Sequence, residues 1–182
     1  QLTTAEGEIL SLGGFTPSIG FPSAQTTTLQ SVQAKSVLCI ENLTTFHEYI
    51  REHEAAQRNT QREKRNTHHS IICTYGNPSP AVRRVLRLLP ETTPILLWSD
   101  MDYGGFNILS QMRRFVSEQI QPYLMDIDTI ESNIPRARPL TASDIIHLKR
   151  LLLRPELRDI NPVIEHLLKR GLKLEQEGVE NF

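Results

Sequence analysis

Asp100 and Asp102 stand two positions apart at the close of an apolar run, in LLWSDMDYGGF (96–106), and Glu41 closes an earlier run, VLCIE. Neighbouring carboxylates repel, and burial raises the cost of each charge, so such a pair stays ionised most readily when a cation lies between its members. A spacing of two keeps both side chains on one face as long as the backbone is extended. Gly104 and Gly105 follow directly and let the chain turn tightly and bring its backbone close to a ligand. No His or Cys stands beside Asp100 and Asp102 in sequence, and an oxygen-only donor set suits Mg²⁺ or Mn²⁺ better than zinc. Mg²⁺ binds one or two carboxylates together with substrate phosphate oxygens, which points to phosphoryl transfer or phosphodiester hydrolysis.

Such acids need strand ends to carry them. SVLCIE (36–41), SIICTY (70–75) and PILLWSD (94–100) are short apolar runs without polar alternation, the pattern of parallel strands covered on both faces. Helical spacing fills the intervals. Phe46, Tyr49, Ile50 and His53 follow the candidate caps Asn42 and Thr44, while Val82, Val85, Leu86 and Leu89 follow Ser79 and Pro80. Leu109, Met112, Phe115 and Val116 make a third stripe, and YLMDI (123–127) reads as a fourth strand. This alternation predicts an α/β fold: a Rossmann-like, mainly parallel central sheet of about four strands with helices on both faces. Ligands of open sheets bind beyond the carboxyl ends of the strands, where Glu41, Asp100 and Asp102 fall. Sugar transferases and haloacid-type phosphatases also place Asp-x-Asp after a strand. The phosphatase nucleophile closes an early strand, whereas this pair follows the third.

With 182 residues, 38% hydrophobic and 23% charged, the chain is long enough for one ordinary core. A net charge of -1 excludes a strongly basic DNA-coating protein and leaves nucleic-acid contact to local patches or a partner. Cys39 and Cys73 lie inside apolar runs as small hydrophobes, with neither a disulfide framework nor zinc spacing. No run reaches the roughly 18 apolar residues of a membrane span, and no basic-then-apolar leader opens the chain, which reads as cytoplasmic. Residues 1–35 form a lead-in of short extended pieces and turns, whose GGF (13–15) does not continue into a P-loop. Residues 36–134 form the core domain and 135–182 a helical extension, with a capping box at Thr141 and Asp144, a helix start at Asn161 and Pro162, and a stop at Gly171. QRNTQREKRNTHH (57–69) carries no apolar residue and reads as a solvated loop or helix end, with no partner in sequence for His68 and His69.

VLCIEN, TYGNPSP and LLWSDMDYGGF together resemble the Toprim domain, whose signature is a Glu after one strand and an Asp-x-Asp after a later one. Through IENLTTFHEY, SDMDYGGFNIL and the terminal KLEQEGVE, residues 36–182 resemble more narrowly the C-terminal region of the JetD family. These are nuclease subunits of Wadjet plasmid-defence systems, related to the A subunit of topoisomerase VI. The resemblance implies a Toprim core, an acidic Mg²⁺ or Mn²⁺ site formed by Glu41, Asp100 and Asp102, and endonucleolytic cleavage of double-stranded DNA beside an SMC-type JetABC complex. It implies hydrolysis by metal-activated water, because the tyrosine nucleophile of the topoisomerase relatives belongs to a separate upstream domain. It further implies a winged-helix domain and an N-terminal arm ahead of Gln1, and a homodimer with one site for each DNA strand. Asp100 and Asp102 are then metal-binding, and Glu41 is either a further ligand or the base that takes a proton from the attacking water. The competing reading is a non-catalytic Toprim scaffold that binds DNA or a partner protein; clustered carboxylates argue against it.

Gly76 and Asn77, in the turn before the second helix, and Arg83 and Arg84 on that helix are candidates for phosphate or DNA contact. A plain strand-to-helix turn and solvated arginines explain the same residues. Glu175 and Glu177 in LEQE are candidates for a second metal or for support of the first site, against an ordinary solvated helix face. Trp98 and Phe106 flank the acids and belong to the core beneath them.

Overall fold

A computed structural model describes residues 1–12, 15, 18–59 and 70–180; residues 60–69, with His68 and His69, and Gly13 and Gly14 of GGF lie outside the described residues. Its strands are β1 (Leu2–Thr4), β2 (Ile9–Leu10), β3 (Leu29–Val32), β4 (Val37–Ile40), β5 (Ser70–Cys73), β6 (Ile95–Trp98), β7 (Gln121–Pro122), β8 (Arg138–Pro139) and β9 (Leu172–Lys173). Its helices are α1 (Leu43–Asn59), α2 (Pro80–Arg87), α3 (Tyr103–Phe115), α4 (Ile127–Ser132), α5 (Ala142–Leu151) and α6 (Asn161–Arg170).

The sheet that positions the acids is four-stranded, parallel, and ordered β5-β4-β6-β7. All of β4 is buried, as a central strand covered on both faces must be, which is why its sequence is continuously apolar. Ile40 pairs with Cys73 on one side and Trp98 on the other, so β4, β5 and β6 end in line. Trp98 and Phe106 are fully buried beneath these ends. Cys39 is also fully buried, and burial pushes its thiol up to about 12, which removes thiolate chemistry at neutral pH. Each helix start follows its local signal. Asn42 Oδ1 accepts from Thr44 and Thr45 N–H (2.7 and 3.2 Å), Ser79 caps α2 with Pro80 behind it, Thr141 and Asp144 form the capping box, and Gly171 (φ 68°) closes α6.

Three expectations need correction. The fourth strand is Gln121–Pro122, not YLMDI: Leu124 has φ 52°, which breaks extension, and Asp126 caps α4 by accepting from Thr129 N–H. Phe115 does not join the core; it is 44% exposed near the end of α3, with the Arg83 and Arg114 guanidinium groups over its ring. The segment beyond 135 is not purely helical, because β8 and β9 pair antiparallel and Met101 bridges to Leu174.

Side-chain clamps dock the flanking segments on the core. Arg84 donates to the Thr26, Thr27 and Leu29 carbonyls (2.8, 3.2 and 3.0 Å) and so ties α2 to the lead-in, where β1, β2 and β3 form an antiparallel sheet. Arg113, almost wholly buried, makes a two-pronged ion pair with Asp159 (2.6 and 2.8 Å), and Ser110 donates to Glu156 (2.6 Å), which joins α3 to the C-terminal segment. Among the described residues no helix is long and apolar enough to cross a membrane.

Candidate functional site

Glu41 leaves β4 with its N–H donating to Trp98 O (3.0 Å), so it stands beside the end of β6. There the Asp100 N–H donates to Glu41 Oε2 at 3.4 Å, a long contact that still orients the carboxylate. Asp100 in turn accepts from the Gln176 N–H through Oδ1 at 2.7 Å. Asp102, with extended backbone (φ -146°), caps α3 by accepting from the Gly105 N–H through Oδ1 at 3.0 Å. Each of the three acids therefore has one oxygen held by a backbone N–H, and none takes a second hydrogen bond among the described residues.

Gly105 is dictated by close approach. A Cβ there would lie 1.9 Å from the Asp100 carbonyl oxygen and 2.8 Å from Ser99 Oγ. The first turn of α3 thus presses on the backbone that carries Asp100, as expected for a glycine at this position.

The electrostatics are those of acids short of a counter-charge. Burial above all, helped by the charges of Asp100 and Asp102 and opposed by the Asp100 N–H, pushes the Glu41 carboxyl from 4.5 up to about 7. Burial likewise pushes Asp100 from 3.8 up to about 6, opposed by the Gln176 N–H and assisted by the charges of Asp102, Glu175 and Glu177.

The structure thus brings Glu175 and Glu177 to the edge of the site. Glu175 pairs with Arg138 (2.6 Å), and Glu177 accepts from Asn42 Nδ2 (3.0 Å). Gly76, Asn77 and Arg83 lie on the β5 side: the Gly76 N–H donates to Glu41 O (3.1 Å), and Asn77 and Arg83 both donate to Gln111 Oε1 (3.3 Å each). Arg84 is not brought to the site, since its guanidinium faces the lead-in carbonyls.

Gln176 escapes a reading of sequence. It is 1% exposed, and its amide donates to Trp98 O (2.9 Å) and accepts from the Asn42 N–H (2.8 Å) while its own N–H holds Asp100. A single residue near the C-terminus therefore closes the ends of β4 and β6 and aims a carboxylate. Its one signal is its place between two acids in LEQE.

Mg²⁺ and Mn²⁺ fit the donor chemistry, with all-oxygen ligands, unmet negative charge and one oxygen on each acid without a hydrogen bond. Among the described residues, no three His, Cys, Asp or Glu side chains close on a common point as they stand.

Comparison with known proteins bears on this arrangement. A protein of Bacillus cereus (strain Q1), Wadjet protein JetD, is 26% identical over 180 residues. That match takes in 95% of this chain, which spans 41% of the length of the relative. Residues 12–181 match the family described as Wadjet protein JetD, C-terminal. The sequence, with its parallel sheet and its acids at the strand ends, belongs to that JetD C-terminal family.

Proposed function

We propose that this chain is the cleaving domain of a metal-dependent DNA endonuclease, the nuclease subunit of a Wadjet-type defence system working with an SMC-type complex on double-stranded DNA. One observation carries the reading: three carboxylates at the ends of adjacent parallel strands each have one oxygen fixed by a backbone N–H and the other without a bond. Neither capping nor core packing requires Glu41 and Asp100 to sit together.

Asp100 and Asp102 hold the cation, and Glu41 either joins them or serves as the base. A bound Mg²⁺ or Mn²⁺ supplies positive charge at the scissile phosphate and lowers the pKa of water. Asp100 and Asp102 would hold such an ion through the oxygens that their backbone N–H partners leave free. Glu41, beside Asp100 at the end of β4, is placed for either role. In the base role Glu41 would take the water proton as the water oxygen bonds to phosphorus and the P–O bond to the departing strand breaks. Gln176 keeps Asp100 in place, and its amide holds the two strand ends together.

A non-catalytic scaffold is favoured by one observation, the absence of a closed three-acid shell among the described residues. Plasmid cleavage separates the readings. Supercoiled plasmid with Mn²⁺ should be nicked by the chain, not in EDTA and not by Glu41→Gln or Asp100→Asn. DNA binding without nicking in Mn²⁺, by this chain and by a longer form carrying the upstream part of its relatives, supports the scaffold.

A further inference from the structure

Tyr75 has neither the backbone nor the surroundings of a residue kept for folding. Its φ is 56°, in the left-handed region that a bulky L-residue rarely enters, and Gly76 beside it has φ 79°. Glycine meets the demands of such a turn without strain. Tyr75 is 75% exposed, and among the described residues its ring meets no other ring and its hydroxyl makes no hydrogen bond. The core therefore gives no reason for an aromatic side chain here.

Its location gives one. The Thr74 N–H donates to Ile40 O (2.9 Å) and the Gly76 N–H to Glu41 O (3.1 Å), so Tyr75 is held between two backbone bonds to the strand that ends in Glu41. The Tyr75 backbone therefore lies beside the strand end that carries Glu41, and its side chain is open to solvent. Asn77 follows in the same turn, and Arg83 on α2 reaches Asn77 Oδ1 (3.5 Å) and Gln111 Oε1 (3.3 Å). An exposed aromatic ring at a strand end, with a guanidinium on the helix that follows, supplies the groups with which proteins hold a nucleic-acid strand.

We propose that Tyr75 is a stacking platform for a nucleobase, holding one unpaired base of the strand whose phosphate faces Glu41, Asp100 and Asp102. This rests on the nuclease reading above. Every base offers a π face, so the platform needs no sequence code. Bases inside a duplex are covered by their neighbours, so the ring engages DNA where a base is already unpaired or has been released from its stack. Backbone outliers persist where their surroundings over-determine them and cluster at working sites, which accounts for a tyrosine where glycine would be easier.

The test uses the 182-residue chain, with Ca²⁺ replacing Mg²⁺, and a single-stranded oligonucleotide carrying 2-aminopurine, whose fluorescence is quenched by stacking. The native chain should bind and quench, and Tyr75→Phe should do the same. Tyr75→Leu should bind without the quench. Tyr75→Gly should lose the quench and roughly 5- to 150-fold in affinity, the range expected for one base stack, with an unchanged or higher Tm because the strained φ is relieved. Unchanged affinity and quench in Tyr75→Gly overturn the proposal, as does failure of the native chain to bind the oligonucleotide. The nuclease reading is scored separately on plasmid: cleavage by both native and Tyr75→Gly chains with equal oligonucleotide binding leaves that reading standing and removes the platform. Quenching that depends on Tyr75 without any cleavage keeps the platform and removes the nuclease.

Discussion

Replacing Asp100 by Asn should stabilise the metal-free chain while removing its ability to hold a cation. Burial and neighbouring acids push the Asp100 carboxyl from 3.8 to about 6. A shift of about two units corresponds to about 3 kcal/mol, and solvent screening at this partly open carboxylate brings that to about 1–2 kcal/mol. Asparagine retains an oxygen for the Gln176 N–H, so the charge is removed and the contact is kept. The sign follows from linkage. Because the folded carboxyl has the higher pKa, the unfolded chain ionises first, and stability falls as pH rises from 3.8 through about 6. The penalty is complete above pH 6, so the advantage of Asp100→Asn should be full at pH 8 and mostly gone at pH 4. For a chain of this size it amounts to a Tm increase of roughly 2–8 °C at pH 8. Thermal unfolding followed by circular dichroism in EDTA at both pH values measures it. A variant no more stable than the native chain at pH 8, or one with the same advantage at pH 4, would refute the electrostatic account and make Asp100 an ordinary structural acid.

Other perturbations separate the parts of the site. Asp102→Asn should leave Tm nearly unchanged because asparagine also caps, whereas Asp102→Ala should cost about 1 kcal/mol; both should abolish metal binding in calorimetry. Gly105→Ala forces a Cβ against the Asp100 carbonyl and should cost about 3 kcal/mol or more in urea unfolding. Gln176→Ala leaves Trp98 O and the Asn42 N–H without their partner and should cost about 2–4 kcal/mol, with weakened Mn²⁺ binding in the fraction that remains folded. Arg84→Ala should loosen the lead-in, seen as faster amide exchange in β3, and leave Mn²⁺ affinity unchanged.

What could be read from sequence was whatever repeats locally. β4 and β6 are buried on both faces, so their runs are continuously apolar and bounded, and the acids that follow them stand out against that background. Caps such as Ser79, Thr141 and Asp126 act over three residues; the first two were legible, while Asp126 was hidden inside an apolar run mistaken for a strand. β7 has two residues, too few to show a period. Phe115 keeps the helical spacing of a core residue, but α3 ends there and its ring lies under two arginines rather than in the core. Most of all, Gln176 lies 78 residues from Trp98 and 134 from Asn42, and only the folded chain brings one amide to both.

The most direct measurement is Mn²⁺ titration calorimetry on the chain beside its Asp100→Asn variant, at pH 8, where the folded Glu41 and Asp100 carboxyls are ionised. The account predicts saturable binding by the native chain, a matching rise in Tm, and loss of both in the variant. Equal binding by the two proteins, or none by the native chain even with DNA present, would contradict a cation site at Glu41, Asp100 and Asp102.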